Sequence, residues 1–315
     1  MNRRDCLRWS ALAGASSLLP AGVLNAVAKD GLITRAVPKT GEKLPIVGLG
    51  SSATFREVAG SGDAEGGLTP VLEAMFEHGG TVFDTAPGYG ASEEVAGRIV
   101  QELGAQGKIF WATKLNVAGG GGKADPAAAR AQVEQSFKFI GKDPIDLIQV
   151  HNLADLPTQL SILKEYKEEG RLRYIGTTST DPSAYPKLIE TMRAEPLDFI
   201  GVDYAVDNLE AAKTILPLAA ERGIGVLVYV PFGRSRLFQR VGDRAIPDWA
   251  GEIGIESWAQ FFLKFAAAHP AVTVVTPATA DAEHMIDNMG ASYGELPDEA
   301  TQKRMVEFID ALPEA

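Results

Sequence analysis

The chain has 315 residues, 45% of them hydrophobic, and a formal net charge of −11. This is the balance of a soluble globular protein long enough for a large core in one or two domains. The acidity is spread along the chain with no basic stripe, which argues against a nucleic-acid partner.

Residues 1–28 read as a targeting segment. Asn2-Arg3-Arg4-Asp5-Cys6-Leu7-Arg8 carries paired arginines, and a weakly apolar run rich in Ala, Ser and Gly ends in the small-x-small pattern Ala26-Val27-Ala28. Gly14, Pro20 and Gly22 make it a poor permanent span, so export is favoured over an anchoring helix and no stable membrane insertion is expected. The segment resembles a twin-arginine export signal, with Cys6 where an apolar residue is usual. That resemblance implies the twin-arginine export machinery as a partner and a periplasmic or otherwise exported location. Cys6 is the only cysteine, so a mature chain from about Lys29 has neither a disulfide nor a thiolate site.

From about Gly31 onward the pattern alternates. Ile33–Val37 and Leu44–Val47, on either side of the Thr40-Gly41 turn, read as an N-terminal β-hairpin. Eight apolar runs of strand length follow: 46–50, 81–85, 109–114, 146–151, 173–179, 199–204, 225–230 and 271–277. Amphipathic segments such as SEEVAGRIVQELG and LPTQLSILKEYKEEG separate them, with Pro126 opening one helix and Gly170 closing another. Near-continuous apolar strands are those buried on both faces. Eight strand–helix units in about 250 residues match a (β/α)8 TIM barrel, with a doubly wound open sheet as the alternative. No linker divides residues 29–315, so one domain is expected. A loop is expected from Thr54 to Gly67, a glycine-rich loop at Asn116–Lys123, and a long loop at Pro231–Ile255 that carries Arg234, Arg236, Arg240 and Arg244. A final helix is expected from Pro297 to Leu312.

Gly48-Leu49-Gly50 begins a dinucleotide fingerprint without its helix or its acidic residue, and reads as a strand-to-loop turn. Gly119–Lys123 lacks the Ser or Thr of a phosphate loop, since Ala124 stands there. The four histidines, His78, His151, His269 and His284, have no metal-ligand spacing, and no metal is expected.

Four residues form one chemical set: Asp84, Tyr89, Lys114 and His151 stand at or just past the C-terminal ends of expected strands. In a barrel, that face carries the catalytic residues. A lysine ending an apolar strand needs a partner, and Asp84 at the end of the preceding strand supplies one. A buried ion pair with Tyr89 and His151 merely nearby is the bland alternative. Four such residues on one face favour chemistry. Reduction of a carbonyl builds negative charge on oxygen that must receive a proton. A phenol with a pKa of ~10 is a weak acid for this at neutral pH. A nearby ammonium favours the phenolate, Asp84 would fix that ammonium, and His151 can orient the carbonyl oxygen.

These residues resemble the aldo-keto reductases, over about Gly31 to Ala291. Asp84 and Tyr89 keep that family's spacing in DTAPGYG, and Lys114 and His151 complete its tetrad. The resemblance implies a (β/α)8 barrel, hydride transfer from a nicotinamide nucleotide to a small aldehyde or ketone, and Tyr89 as general acid. It also implies cofactor contacts at Thr178 and Ser179 for the carboxamide and at Tyr229 as an aromatic stacked on nicotinamide. Phe232, Gly233 and Arg234 would cover the pyrophosphate, and Asp287 and Asn288 would bind adenine. Ala278, Thr279 and His284 stand where NADP-specific members carry basic residues, and Gly201 replaces a usual glutamine. Charge-assisted pairs to a 2′-phosphate are worth ~1.5–3 kcal/mol each. NADP(H) with weakened preference is therefore expected, with NAD(H) tolerated, and Arg234 and Arg236 are candidates to restore the charge. Two other functions stay open. One is a nucleotide-binding barrel with little turnover, acting in redox sensing or as an accessory subunit. The other is a sugar hydrolase using Asp84 with Asp203 or Asp155. Trp111, Trp249 and Phe55 are candidates for apolar lining, with core packing the alternative for Trp111.

Overall fold

The computed structural model describes residues 31–118 and 122–313. The proposed export signal, residues 1–28, lies outside the described residues, as does the centre of the glycine-rich segment, residues 119–121.

The antiparallel hairpin is present as β1 (Thr34–Ala36) and β2 (Lys43–Pro45), with Arg35 opposite Leu44. Eight parallel strands follow in sequence order: β3 (Leu49–Gly50), β4 (Val82–Asp84), β5 (Phe110–Leu115), β6 (Ile145–Val150), β7 (Leu172–Ser179), β8 (Phe199–Asp203), β9 (Gly225–Tyr229) and β10 (Val274–Val275). The sheet closes on itself. The Gly48 amide donates to the Val275 carbonyl at 2.9 Å, the Gly50 amide donates to that of Pro277 at 2.8 Å, and parallel bridges join Val47 to Val275 and Gly50 to Ala278. This is the expected TIM barrel, and the open-sheet alternative is set aside.

Main helices lie between the strands: α2 (Ala64–Glu77), α3 (Ser92–Glu102), α4 (Pro126–Ile140), α5 (Leu156–Glu168), α6 (Tyr185–Ala194), α7 (Glu210–Arg222) and α10 (Trp258–Ala268). Local chemistry sets their ends. The Asp125 carboxylate accepts from the Ala127 amide ahead of Pro126 at the first turn of α4, and Gly170 takes φ +77° just past α5. Helices α11 (Ala282–Gly290) and α12 (Glu299–Asp310) follow β10.

Two loop expectations are corrected. The stretch from Thr54 to Gly67 contains α1 (Thr54–Ala59) and the first turn of α2, because Phe55 and Ala59, four residues apart, both bury into the core. The stretch Pro231–Ile255 contains α8 (Arg236–Val241) and α9 (Asp248–Gly251), held down by Leu237, Val241 and Ala250. Phe55 lies in the core against Phe83, as does Trp111, and Trp249 packs on Phe261 and Phe308. None of the three faces the cavity described below.

The alternation of strand side chains sorts the barrel interior into a column. Val82, Phe110, Leu147, Tyr174, Phe199, Leu227 and Val274 point inward low in the barrel, and Val37 and Leu44 of the hairpin pack beneath them. The hairpin is pinned there by Thr40 Oγ1 to Tyr174 Oη at 2.7 Å and by ion pairs of Glu42 with Arg173 and of Lys39 with Asp198. Two residues further along the same strands, the inward positions become Asp84, Ala112, Gln149, Gly176, Gly201 and Tyr229. Among the described residues, no helix is long and apolar enough to cross a membrane.

Candidate active site

The period of two that puts Val82 inward also puts Asp84 inward. On β5 it carries from Phe110 through Ala112 to Lys114, and on β6 from Leu147 through Gln149 to His151 just past the strand end. The predicted set therefore converges at the C-terminal mouth, on a cavity of about 570 Å3 that Asp84, Tyr89, Lys114 and His151 all line. Thr178, Tyr229, Phe232 and Arg234 line it as well.

Lys114 is 2% exposed, and its ammonium donates to Asp84 Oδ2 at 2.7 Å and to the Thr85 carbonyl at 2.8 Å. Burial works to lower its pKa. The charge and hydrogen bond of Asp84, with the charges of Tyr89 and Glu93, hold it above the ordinary lysine value. Lysine 114 is thus a fixed cation. Its Nζ lies 5.3 Å from the centroid of the Tyr89 ring and 5.0 Å from that of Tyr229. Behind β5, buried Glu93 accepts hydrogen bonds from Thr113 and Ser136, and burial raises its pKa.

His151 opens a one-turn 3-10 segment, and its ring stands edge-on to Tyr89 with centroids 6.1 Å apart. Burial, then the nearby Lys114 charge, lowers its pKa to about 4. Its imidazole is neutral at physiological pH, so one ring nitrogen carries hydrogen and can donate to a carbonyl oxygen.

Tyr229 departs from a simple stacking surface. Its hydroxyl reaches across the barrel to Asp84 Oδ1 at 3.0 Å and to Gln149 Oε1 at 2.8 Å. Burial, then the charges of Asp84 and Tyr89, raise this phenol well above its ordinary pKa, so it stays protonated as a hydrogen-bond donor. Gly201 makes this pose available, because a Cβ there would stand 2.2 Å from Tyr229 Cε2. Gln149 was not among the residues singled out from the sequence. The available signal was a glutamine inside the apolar run DLIQVH, two residues before His151 and therefore on its face.

The remaining expected cofactor residues divide. Gly233 takes φ +58° in the loop beside Phe232 and Arg234. Ser179, Thr279, His284, Asp287 and Asn288 do not line the cavity. The Ser179 and Thr279 hydroxyls close local turns with Asp181 and Asp281, the His284 amide caps α11 on Asp281, and Asp287 accepts from Gln260. Arg236 is engaged elsewhere, its guanidinium making a bidentate pair with Asp207 at 2.7 and 2.8 Å. Arg234 and Arg56 line the mouth with no hydrogen-bond or ion-pair partner among the described residues. Asp203 is taken up by Tyr185 and Asn208, and Asp155 accepts from the Ala124 amide beside a neighbouring cavity. Among the described residues Asp84 therefore has no facing second carboxylate, and the sugar-hydrolase alternative is set aside.

All seven non-glycine residues with positive φ among the described residues lie in loops at this end: Ala53, Asn152, Leu153, Asp155, Val230, Arg234 and Ser235. For β-branched Val230 this is a genuine strain, of the kind that collects around functional sites.

Residues 47–306 match the aldo/keto reductase family. The chain belongs to that family. As an aldo/keto reductase it is 26% identical over 262 residues to aldo-keto reductase str7 of Strobilurus tenacellus, spanning 73% of this chain and 77% of the other. It is 30% identical over 212 residues to aldo-keto reductase YhdN of Bacillus subtilis, spanning 64% of this chain and 62% of the other. The fold superposes on an aldo-keto reductase from Klebsiella pneumoniae solved in complex with NADPH, with a TM-score of 0.73 at 22% identity, over 88% of this chain and 96% of that one. Family membership makes this an oxidoreductase.

Proposed function

We propose that this aldo/keto reductase reduces the carbonyl of a small aldehyde or ketone to an alcohol, with Tyr89 giving the proton. The observation that carries the reading is the buried Lys114–Asp84 pair, 2.7 Å apart, beside Tyr89 and neutral His151 in one cavity. A bound nicotinamide nucleotide would supply hydride to the carbonyl carbon. The His151 N–H donates to the carbonyl oxygen and holds it toward Tyr89. The Tyr89 O–H bond breaks as the proton joins that oxygen, and the phenolate left behind faces the Lys114 ammonium. Asp84 keeps that ammonium in place. Solvent returns the proton to Tyr89 after the alcohol leaves.

NADP(H) is the proposed cofactor, in line with the NADPH-bound relative. The charge of the cavity suits such a polyanion, since Arg56 and Arg234, without side-chain partners among the described residues, stand at its mouth in a protein of net charge −11. Phe232, Gly233 and Arg234 would cover the pyrophosphate, and Thr178 would meet the carboxamide. Ala278 and His284 still leave the 2′-phosphate without its usual arginine, so NAD(H) is accepted as well.

A panel of aldehydes and ketones, assayed with NADPH and NADH for the wild type and Tyr89→Phe, tests this. Turnover by the wild type and its loss by roughly 10²–10⁴-fold in the variant are expected. Negligible wild-type turnover with every carbonyl would instead favour a nucleotide-binding barrel in sensing or accessory use, a reading that Gly201 in place of glutamine keeps in view.

Export is proposed on the paired Arg3 and Arg4 and on Ala26-Val27-Ala28. Replacing both arginines with lysine should leave the protein in the cytoplasmic fraction. Unchanged export of that variant would refute the twin-arginine route.

A further inference from the structure

We propose that Tyr229 is a positioning residue of the reaction, its hydroxyl clamping the Asp84 carboxylate while Gln149 aims that hydroxyl. This rests on the reduction proposed above.

The pose follows from an exchange of bulk between neighbouring strands. β8 is bare at Gly201, and the ring of Tyr229 from β9 lies against it, with Cζ and Oη within 2.7 and 2.8 Å of where a Cβ would be. The ring thus fills the interior of the barrel, above Phe199 and Leu227. Its single hydroxyl hydrogen has two acceptors in reach, Asp84 Oδ1 at 3.0 Å and Gln149 Oε1 at 2.8 Å. The hydrogen is shared between them in a three-centre arrangement, the carboxylate being the stronger acceptor and the amide oxygen confining the hydroxyl to this corner. Gln149 is itself 0% exposed, and its Nε2 donates to the Thr177 carbonyl at 3.4 Å.

Asp84 then has one donor on each oxygen: Lys114 on Oδ2 at 2.7 Å and Tyr229 on Oδ1 at 3.0 Å. Two donors from opposite sides of the barrel fix the plane of the carboxylate, and with it the place of the ammonium facing Tyr89. The charged and titratable groups around Asp84 are Lys114 on β5, Tyr229 on β9, Tyr89 in the loop after β4, and His151 past β6. Glu93 on α3 acts through Lys114. Lys114 and Tyr229 are the two that donate to the carboxylate. Without Tyr229 the carboxylate would be buried with a single donor, and its charged form would be less favoured.

Tyr229→Phe separates the clamp from a stacking role, because it keeps the ring and removes only the hydroxyl. The clamp predicts a fall in kcat of roughly 10- to 100-fold. The KM for NADPH should stay within about twofold, since a clamp inside the protein adds no binding contact. The acid limb of the kcat profile should move to higher pH, because loss of a donor to a carboxylate makes it easier to protonate. If the ring matters only for stacking, Tyr229→Phe matches the wild type while Tyr229→Leu raises the KM for NADPH, and the proposal is overturned. An NMR titration of carbon-13-labelled aspartate, with Asp84 assigned by Asp84→Asn, reads the clamp without turnover. An upward shift of the Asp84 carboxyl in Tyr229→Phe supports it even if no carbonyl is reduced, and an unchanged titration defeats it even if the reductase reading stands.

Discussion

Gly201 and Tyr229 occupy one space: a methyl group on the first would lie 2.2 Å from the ring of the second. Gly201→Ala should therefore push Tyr229 out of its seat and destabilise the fold by about 1–3 kcal/mol, as over-packing does. Denaturant unfolding of Gly201→Ala, Tyr229→Leu and the double variant checks this. The two changes should couple strongly, with the smaller residue at 229 relieving the alanine, and simple additivity would contradict the shared seat.

The Lys114–Asp84 pair separates a structural role from a chemical one. Lys114→Met leaves a buried carboxylate without its cation and should cost about 3–5 kcal/mol of stability. Adding Asp84→Asn removes that charge and should recover most of the loss, while activity stays abolished. Recovery of activity along with stability would mean that the pair merely supports the fold.

His151 gives a pH signature. Its folded pKa of about 4 lies below the ordinary histidine value of 6.5. The unfolded chain therefore binds this proton first as pH falls. Stability is lost between about pH 6.5 and 4, by at most ~3 kcal/mol from this group. Activity should show no break near pH 6.5 from His151. Proton NMR of the histidine ring, assigned by His151→Gln, measures it directly, and a midpoint near 6.5 would contradict a neutral imidazole in the site.

Arg234 and Arg236 should behave differently despite lying two residues apart. Arg234→Ala is expected to weaken NADPH and NADH alike, roughly 10-fold or more, because the pyrophosphate is common to both. Arg236→Ala acts on the loop through its lost pair with Asp207. Equilibrium titration of both nucleotides decides it. A loss confined to NADPH would place Arg234 on the 2′-phosphate instead.

Leu44→Ala in the hairpin should destabilise the barrel by about 2–5 kcal/mol, since Leu44 is 3% exposed beneath the interior column. Thermal unfolding measures this, and kcat near the wild-type value is expected at temperatures where the variant is folded.

What could be read from the sequence was local in origin. Eight apolar runs, their turn residues and the strand-end positions of Asp84, Lys114 and His151 depend on short-range periodicity. What could not be read depends on neighbours distant in the chain. The direction of Tyr229 is set by a missing side chain on β8, 28 residues earlier by numbering. The partner of Arg236 is Asp207, and the hydrogen-bonding of Gln149 depends on β9. Helix α1 was missed because six residues give too little periodicity to separate a short helix from a loop.

The hairpin packs Val37 and Leu44 beneath the interior column, at the end of the barrel away from the cavity. Under the proposed reaction, a proton returning to Tyr89 would pass through the same mouth that admits the substrate. An alcohol product in that mouth would then keep Tyr89 from regaining its proton. Reprotonation would follow departure, and each visit of a substrate would allow one reduction.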